Sequence, residues 1–284
     1  MISPHTFSSG TPGPHILFLG AIHGNETCGP EAIQQIIEEL GSGHIKLLSG
    51  LVTFVPISNK EAYEKKVRYI DEDLNRVFQK NASPQTHEQR IANELTSLVD
   101  KCDVMLDIHS TLAGGPVNIF IDFLTDDNRD FAKALNAQYA ILGWPSLYEK
   151  SGQQLLSSDT TVYANKIGKT CLLIECGQHE DPGAVPVAYQ AIIDTLAHFK
   201  LIADTAGSPA KGTAMKEITM TELFVKNAEG DHFTHEFKHL DKIATGEVIA
   251  TRETGEEIVA KSNGVMVLPK LNGQVGKEWF YLGQ

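Results

Sequence analysis

The stretch FLGAIHGNET, residues 18–27, ends an apolar run at Gly20 and then presents a histidine and a glutamate around a second glycine. The run itself, HILFLG (15–20), is continuously apolar, which is typical of a strand that helices cover on both faces of a sheet. The stretch therefore predicts a buried strand that delivers His23 and Glu26 to the mouth of a sheet.

Four more apolar runs follow the same pattern, and amphipathic segments separate them. The runs are LVTFVPI (51–57), DVMLDIH (103–109), VNIFID (117–122) and TCLLIEC (170–176). Helices are predicted from Gly29-Pro30 to Gly41, over 86–101, and from Asp181-Pro182 onward. This alternation predicts an α/β domain with a mainly parallel or mixed sheet flanked by helices.

The character of the chain changes at ADTAGSPAKGT, residues 203–213, where small residues, glycine and proline indicate a linker. Short β-prone runs separated by turn residues follow it up to the C-terminus. We therefore predict two domains, an α/β domain over 1–204 and a small all-β domain, sandwich or barrel-like, over 205–284.

Composition and charge argue against nucleic-acid and membrane partners. A net charge of -12 argues against nucleic acid, which needs a basic face, although a few arginines can still attract a small anion into a cleft. Four scattered cysteines are typical of reduced thiols in a cytoplasm. We find neither a secretory signal nor an apolar run of about 18 residues. The prediction is a cytoplasmic protein with no membrane partner.

Three of the apolar runs end in a residue that can bind a metal or move a proton: His23, His109 and Glu175. Ligand sites in open α/β sheets form at the carboxyl ends of the strands. Taken singly, each residue is more often an ordinary surface or core side chain. Together, His23, Glu26 and His109 match the two-histidine, one-carboxylate set of catalytic zinc sites, a set that also suits iron(II).

A charged segment without apolar periodicity, VRYIDEDLNRVF (67–78), contains Arg68, Asn75 and Arg76. One interpretation is a solvated loop. The other is a pair of arginines around an anionic substrate, because the guanidinium fork matches a carboxylate and can stabilise a developing oxyanion.

Four motifs occur in an order and spacing that resemble the succinylglutamate desuccinylase/aspartoacylase family of the zinc carboxypeptidase superfamily. They are AIHGNE (21–26), Arg68 with DLNR (73–76), LDIHST (106–111) and IECG (174–177). The C-terminal EWFYLG (278–283) is also similar to family members. The resemblance implies a zinc-carboxypeptidase-like fold.

The resemblance also implies roles at the matching positions. One Zn2+ would be held by His23, Glu26 and His109. Glu175 would be the general base, and Arg68 would polarise the carbonyl of the substrate. The implied reaction is hydrolysis of the amide bond of a small anionic N-acyl amino acid.

For the substrate carboxylate, the resemblance implies Asn75 and Arg76. The aspartoacylase branch uses a further arginine before the catalytic glutamate, but this chain has only Lys166 and Lys169 there, so the acyl group and the amino acid stay undetermined. Tyr281 is a candidate for substrate contact, although aromatic clusters more often indicate a core.

Several further residues are weaker candidates for the site. Asp107 either orients a ligand histidine or makes a structural hydrogen bond. Tyr163 is a second candidate tyrosine near the site. His179 could face the cleft, although the surface is the commoner place for such a histidine, and His235 and His239 are predicted to be exposed.

Three rival functions use the same residues. They are a metallocarboxypeptidase acting on peptides, a non-haem iron oxygenase, and a non-catalytic metal or small-molecule binder. Homo-oligomerisation is left open by the sequence.

Overall fold

A computed structural model describes residues 1–135, 137–150, 158–203 and 215–284. The strands in these ranges are β1 (His5–Ser8), β2 (His15–Gly20), β3 (Leu51–Val55), β4 (Val104–Thr111), β5 (Asn118–Ile121), β6 (Tyr139–Leu142), β7 (Thr170–Gln178), β8 (Lys216–Val225), β9 (His232–Phe233), β10 (Lys242–Ile243), β11 (Val248–Thr251), β12 (Glu257–Val259), β13 (Gly264–Val267) and β14 (Glu278–Gly283). The helices are α1 (Cys28–Ser42), α2 (Lys60–Lys65), α3 (His87–Val99), α4 (Asp126–Ala134), α5 (Trp144–Lys150), α6 (Thr160–Lys166) and α7 (Ala184–His198), with a short 3-10 helix at Leu74–Arg76.

Eleven strands form one mixed sheet in the order β1-β3-β2-β4-β7-β5-β6-β8-β14-β13-β10. Its centre is parallel, since β2 pairs in parallel with both β3 and β4, and β4 pairs in parallel with β7. The antiparallel pairing of β5 with β7 makes the sheet mixed. This confirms the predicted α/β sheet flanked by helices.

Both faces of the central sheet are covered, which explains the continuous apolar runs. Ile16 and Phe18 pack into the core that α1 and α7 close, whereas Leu17 and Leu19 pack into the core on the α3 side. Successive side chains of a strand point to opposite faces, so a strand buried on both faces has no polar alternation.

Helix boundaries differ slightly from the predicted ones. Helix α1 continues through Gly41 and ends at Gly43, which adopts a left-handed conformation with φ of 76°. Glycine has no Cβ and takes this conformation at little cost, which is why it ends helices. Helix α3 begins after Thr86, whose side chain accepts a hydrogen bond from the Gln89 N–H.

The C-terminal segment is all-β in its described part, as predicted. Strand β8 pairs in parallel with β6 and antiparallel with β14, so the main sheet continues into this segment. A three-stranded sheet, β12-β11-β9, lies apart from it in the hydrogen-bonding pattern. The predicted linker falls almost entirely within 204–214, outside the described residues, and the division at 204/205 stays a prediction.

Two other features of the chain are relevant to its surroundings. All four cysteines are buried and none forms a disulfide. Among the helices of the described ranges, none combines the length and apolarity needed to cross a membrane.

Candidate active site

The carboxyl ends of β2 and β4 bring His23, Glu26 and His109 together. The Nδ1 atoms of His23 and His109 lie 2.8 Å and 2.9 Å from the two carboxylate oxygens of Glu26. One potential ligand atom from each residue falls within 4.8 Å of the others, and no side chain of the three is more than 4% exposed. Three donors therefore converge at one buried point.

Gly24 determines the path of the loop that carries two of these residues. A Cβ at this position would lie 2.1 Å from the backbone carbon of Ala62, closer than any real contact. The Gly24 N–H also donates to the Arg68 carbonyl oxygen at 3.1 Å. The second glycine of the opening motif is therefore needed because the loop passes directly against α2.

A carboxylate lies behind each of the two imidazoles. His23 Nε2 is 3.1 Å from Asp73 Oδ1, and His109 Nε2 is 3.0 Å from Asp107 Oδ2. Thr160 Oγ1 donates a hydrogen bond to Asp107. Both Nδ1 atoms consequently face Glu26 while both Nε2 atoms face an outer carboxylate, the arrangement that orients histidine ligands of metals.

The donor set suits a divalent cation. Burial alone would raise the pKa of Glu26, but the neighbouring His109 and His23 hold it well below its ordinary value. Burial would lower the pKa of His109, but Asp107 and Glu26 raise it well above its ordinary value. Two imidazole nitrogens and an ionised carboxylate form a ligand set that suits a divalent cation, zinc and iron(II) included.

Glu175 lies beside this cluster because β4 and β7 are in parallel register. The register places Glu175 directly opposite His109. Its Oε2 atom is buried and has no hydrogen-bond partner among the described residues. Burial, and then the negative charge of Glu26, raise the pKa of Glu175 to about 8. Its side chain is therefore positioned to exchange a proton in the cavity.

Arg68 contacts both Glu26 and Asp73. Its Nη1 is 3.6 Å from Glu26 Oε1, its Nε donates to Asp73 Oδ2 at 3.0 Å, and 37% of its side chain is exposed. Asp73 thus contacts both His23 and Arg68. The sequence interpretation assigned no role to Asp73, although it lies within the DLNR motif.

Asn75 and Arg76 belong to the short 3-10 helix that Asp73 caps. The Asn75 side-chain oxygen accepts a hydrogen bond from the Thr160 N–H at 3.4 Å. The Arg76 Nε donates to Glu278 Oε1 at 2.8 Å, and its guanidinium lies 5.3 Å from the Trp144 ring centre. Glu278, which sequence reasoning left without a role, therefore binds one edge of the Arg76 fork.

Tyr281 is both a core residue and a wall of the site. It is fully buried, and its hydroxyl lies 2.5 Å from that of Tyr148 in an aromatic cluster that includes Trp144. The same residue lines the cavity. The two interpretations of Tyr281 are therefore compatible.

One cavity of about 960 Å³ connects these groups, a volume in the usual range for small-molecule sites. Its walls come from both halves of the chain. Besides the residues above, they include Leu112, Phe120, Asp122, Asp159, Leu173, Leu268 and Lys270. No sequence signal identified Trp144 or Lys270 as wall residues, because each depends on a long-range contact.

The prediction for His239 was wrong, and for His179 the cleft alternative holds rather than the surface one. His179 lines the cavity, where its Nδ1 lies 2.8 Å from Ser110 Oγ. His239 is buried at 1% exposure and accepts a hydrogen bond from the Leu268 N–H, whereas His235 is exposed as predicted. Tyr163 does not line the cavity and instead donates to Asp100.

Comparison with known proteins identifies the family of the chain. Residues 12–198 match the model of the succinylglutamate desuccinylase/aspartoacylase catalytic domain. The chain belongs to this family. The matched range contains the three metal-ligand candidates and Glu175.

Relatives in the succinylglutamate desuccinylase/aspartoacylase family are distant in sequence. The succinylglutamate desuccinylase of Pseudomonas fluorescens (strain Pf0-1) is 23% identical over 174 residues, which cover 58% of this chain and 51% of that protein. The probable aspartoacylase of Prochlorococcus marinus (strain MIT 9301) is 33% identical over 108 residues, which cover 34% of this chain and 35% of that protein. The matches thus span about half or less of these relatives.

Solved structures of similar fold match the whole length of the chain. A succinylglutamate desuccinylase/aspartoacylase from Rhodobacter sphaeroides superposes with a TM-score of 0.77 at 20% identity and covers 100% of this chain and 88% of its own. The product-bound ectoine utilization protein EutE (DoeB) from Ruegeria pomeroyi gives 0.78 at 19% identity, with the same coverage. At such identities the likeness establishes the fold alone.

Proposed function

We propose that the protein is a zinc-dependent hydrolase that cleaves the amide bond of a small anionic N-acyl amino acid. The observation that carries this proposal is the convergence of His23, Glu26 and His109 next to Glu175, which lies opposite His109 in the sheet. Family membership supports the class of reaction. Zinc is favoured over iron because a buried glutamate and an arginine accompany the ligands, as amide hydrolysis requires.

In the proposed site, His23, Glu26 and His109 would hold one zinc ion. When bound, the ion would supply Lewis acidity and a water whose pKa is lowered to about 7. Glu175 would accept a proton from the attacking water and later deliver it to the leaving amine, and its Oε2 has no hydrogen-bond partner within the described part of the chain.

Arg68 then stabilises the charge that develops on the amide oxygen. Its fork lies beside Glu26 and more than a third of the side chain is open to the cavity. One donor of this kind is typically worth about 3–4 kcal/mol of transition-state stabilisation. Arg68 is accordingly expected to affect turnover more than substrate affinity.

Asn75 and Arg76 are proposed to bind the carboxylate of the amino acid, and Tyr281 to close the wall behind it. Arg76 keeps donors beyond those that face Glu278 and the Asn75 carbonyl oxygen, since a guanidinium has five. The C-terminal segment contributes Leu268, Lys270 and Tyr281 to the cavity wall. A C-terminal domain over 205–284 would therefore narrow access and favour small substrates over polypeptides.

The decisive experiment combines metal analysis with amine release. Purified protein is expected to contain one zinc per chain and to release amine from one or more N-acyl amino acids. Glu175→Gln is expected to keep the zinc and to lose turnover by about 100-fold or more, because it removes the general base. An exposed control, Glu180→Gln, should behave as wild type.

Each rival predicts a different result. Carboxypeptidase activity on peptides with no activity on acyl amino acids would assign the same residues to peptide hydrolysis. Oxygen-dependent turnover with iron would indicate an oxygenase. A Glu175→Gln variant identical to wild type in every assay would leave a non-catalytic binder.

A further inference from the structure

The loop between β13 and β14 places a lysine in the wall of the active-site cavity. Lys270 Nζ lies 3.4 Å from Glu278 Oε2, and 35% of its side chain is exposed. Within the described residues, Glu278 is its one hydrogen-bond partner, although an ammonium has three donors. Lys270 therefore lines the cavity with N–H donors left for a ligand.

Lys270 and Arg76 share a single carboxylate. Glu278 Oε1 binds Arg76 at 2.8 Å, while Oε2 faces Lys270. Burial would raise the pKa of Glu278, but Arg76 and Lys270 hold it well below its ordinary value, so this carboxylate is ionised. Two positive charges thus share one negative charge as their direct partner.

The other acidic groups near this pair are already engaged. Asp73 contacts Arg68 and His23, and Asp159 caps α6 by accepting the Val162 N–H at 2.7 Å. Burial also raises the pKa of Asp159, which favours its neutral form. In the described ranges, Arg76 and Lys270 therefore lack a second negative partner, and an anionic ligand would supply that negative charge.

We propose that Lys270 is a specificity-determining residue that binds a second carboxylate of the substrate, while Arg76 binds the first. The inference rests on the proposed function, and what it adds is the residue that would bind a second carboxylate, on either the acyl group or the amino-acid side chain. A compact ammonium on a flexible stem can reach a carboxylate in either position.

The protonation of Lys270 provides an independent readout. Burial, together with the charges of Arg68 and Arg76, lowers the pKa of Lys270 to about 8, against the opposing effects of Glu278 and Asp73. A lowered pKa means that the ammonium loses its proton near this pH. Affinity for a second carboxylate should therefore fall as the pH rises through about 8, and affinity for a monocarboxylate should fall less.

The test measures binding rather than turnover, so that it remains informative if the hydrolase proposal fails. Zinc-loaded protein carrying Glu175→Gln is titrated calorimetrically with N-acetylaspartate, N-acetylglutamate and N-succinylalanine, and with N-acetylalanine as the monocarboxylate. Added Lys270→Met is expected to weaken binding of the best dicarboxylate by about tenfold or more, and that of N-acetylalanine by about twofold at most.

Two further variants keep the result interpretable. Lys270→Arg retains the charge and should restore most of the dicarboxylate affinity and abolish its decline near pH 8. Lys261→Met removes a lysine that pairs with Glu222 at 2.8 Å on the exterior, and should change nothing. Equal weakening of mono- and dicarboxylates by Lys270→Met, or no weakening of either, overturns the inference, as does a dicarboxylate affinity that is flat from pH 7 to 9 in the Lys270 protein.

If Lys270→Met folds poorly, two other measurements test whether Lys270 binds the second carboxylate. They are the dicarboxylate affinity of Lys270→Gln and the pH dependence of that affinity in the protein that keeps Lys270. Absence of amine release with normal dicarboxylate selectivity would reject the proposed function and leave this inference standing.

Discussion

Asp73 and Asp107 lie behind the imidazoles of the metal-ligand candidates, and each contacts the nitrogen that faces away from Glu26. Such outer carboxylates fix the ring orientation and tautomer of a ligand histidine. Asp73 also binds Arg68, so one side chain contacts both a metal-ligand candidate and the arginine that we propose stabilises the oxyanion. A substitution of Asp73 therefore tests its support of the ligand histidine directly.

Asp73→Asn is expected to weaken zinc binding by about 10- to 100-fold, because the amide cannot accept from both His23 and Arg68 as a charged partner. Zinc affinity is measured by competition with a chromogenic chelator. Asp71→Asn is the matched control, since Asp71 instead accepts the His87 N–H on α3. Equal zinc affinities of the two variants would show that Asp73 does not support the ligand.

Gly24→Ala is expected to displace the ligand loop, since the new Cβ would overlap the backbone of α2. We expect a loss of about 2 kcal/mol or more in the free energy of unfolding, together with reduced zinc content. Urea denaturation and metal analysis test the two effects. Wild-type stability in this variant would mean that the loop has another path.

At the scale of elements, the C-terminal end of α1 shows what a local sequence pattern predicts and what it leaves open. Helix α1 was predicted to end at Gly41, but the chain stays helical to Ser42 and turns at Gly43. Two glycines near one helix end are equivalent in a local pattern. The one that ends the helix is Gly43, which adopts the left-handed conformation and whose N–H donates to the Leu40 carbonyl oxygen.

Gly41→Ala should consequently stabilise the protein by about 0.5–1 kcal/mol. The position lies inside α1, and a Cβ there meets nothing within 4 Å. Chemical denaturation at constant pH measures the gain. Gly43→Ala is the counterpart and should destabilise, because alanine is strained at a φ of 76°. A destabilised Gly41→Ala would contradict the helical assignment.

At the scale of the whole molecule, the loop after β4 meets the C-terminal segment at His239. A Cβ on Gly115 would lie 2.7 Å from the His239 carbonyl oxygen, and the His239 N–H donates to the Gly114 carbonyl oxygen at 3.2 Å. The buried imidazole accepts a hydrogen bond from Leu268, next to the loop that carries Lys270. The cavity wall and this contact are therefore parts of one packed region.

The buried His239 should make stability depend on pH. Burial lowers its pKa from 6.5 to about 3, so below pH 6.5 the unfolded chain binds a proton that the folded chain does not. The stability due to neutral His239 is thus complete above pH 6.5 and declines as the pH falls, by up to about 1.4 kcal/mol per unit.

The comparison of wild type with His239→Asn isolates this effect, because asparagine can accept from Leu268 but does not titrate. Free energies of unfolding are measured by urea denaturation between pH 7 and 5. Wild type should lose about 1 kcal/mol per pH unit more than the variant below about pH 6. Parallel curves for the two proteins would exclude His239 as the titrating group.

The sequence by itself determined the order of the central elements and the three strand ends that carry His23, His109 and Glu175. Those signals are local: a run of apolar residues, a glycine and a polar residue after it lie within one segment. Parallel strands then align their carboxyl ends, so the convergence of these residues followed from the fold class. In the structure, His23 and His109 each contact the Glu26 carboxylate, as expected from the alignment of these strand ends.

Only the tertiary structure decided which distant residues complete the cavity. The pairing of Arg76 with Glu278 joins residues 202 positions apart, and the burial of His239 depends on a loop from the other half of the chain. Strand β6, which was not predicted, is four residues long and has little periodic signal, yet it links the two halves through β8. Such contacts depend on long-range packing and charge pairing, which the local hydrophobic pattern does not encode.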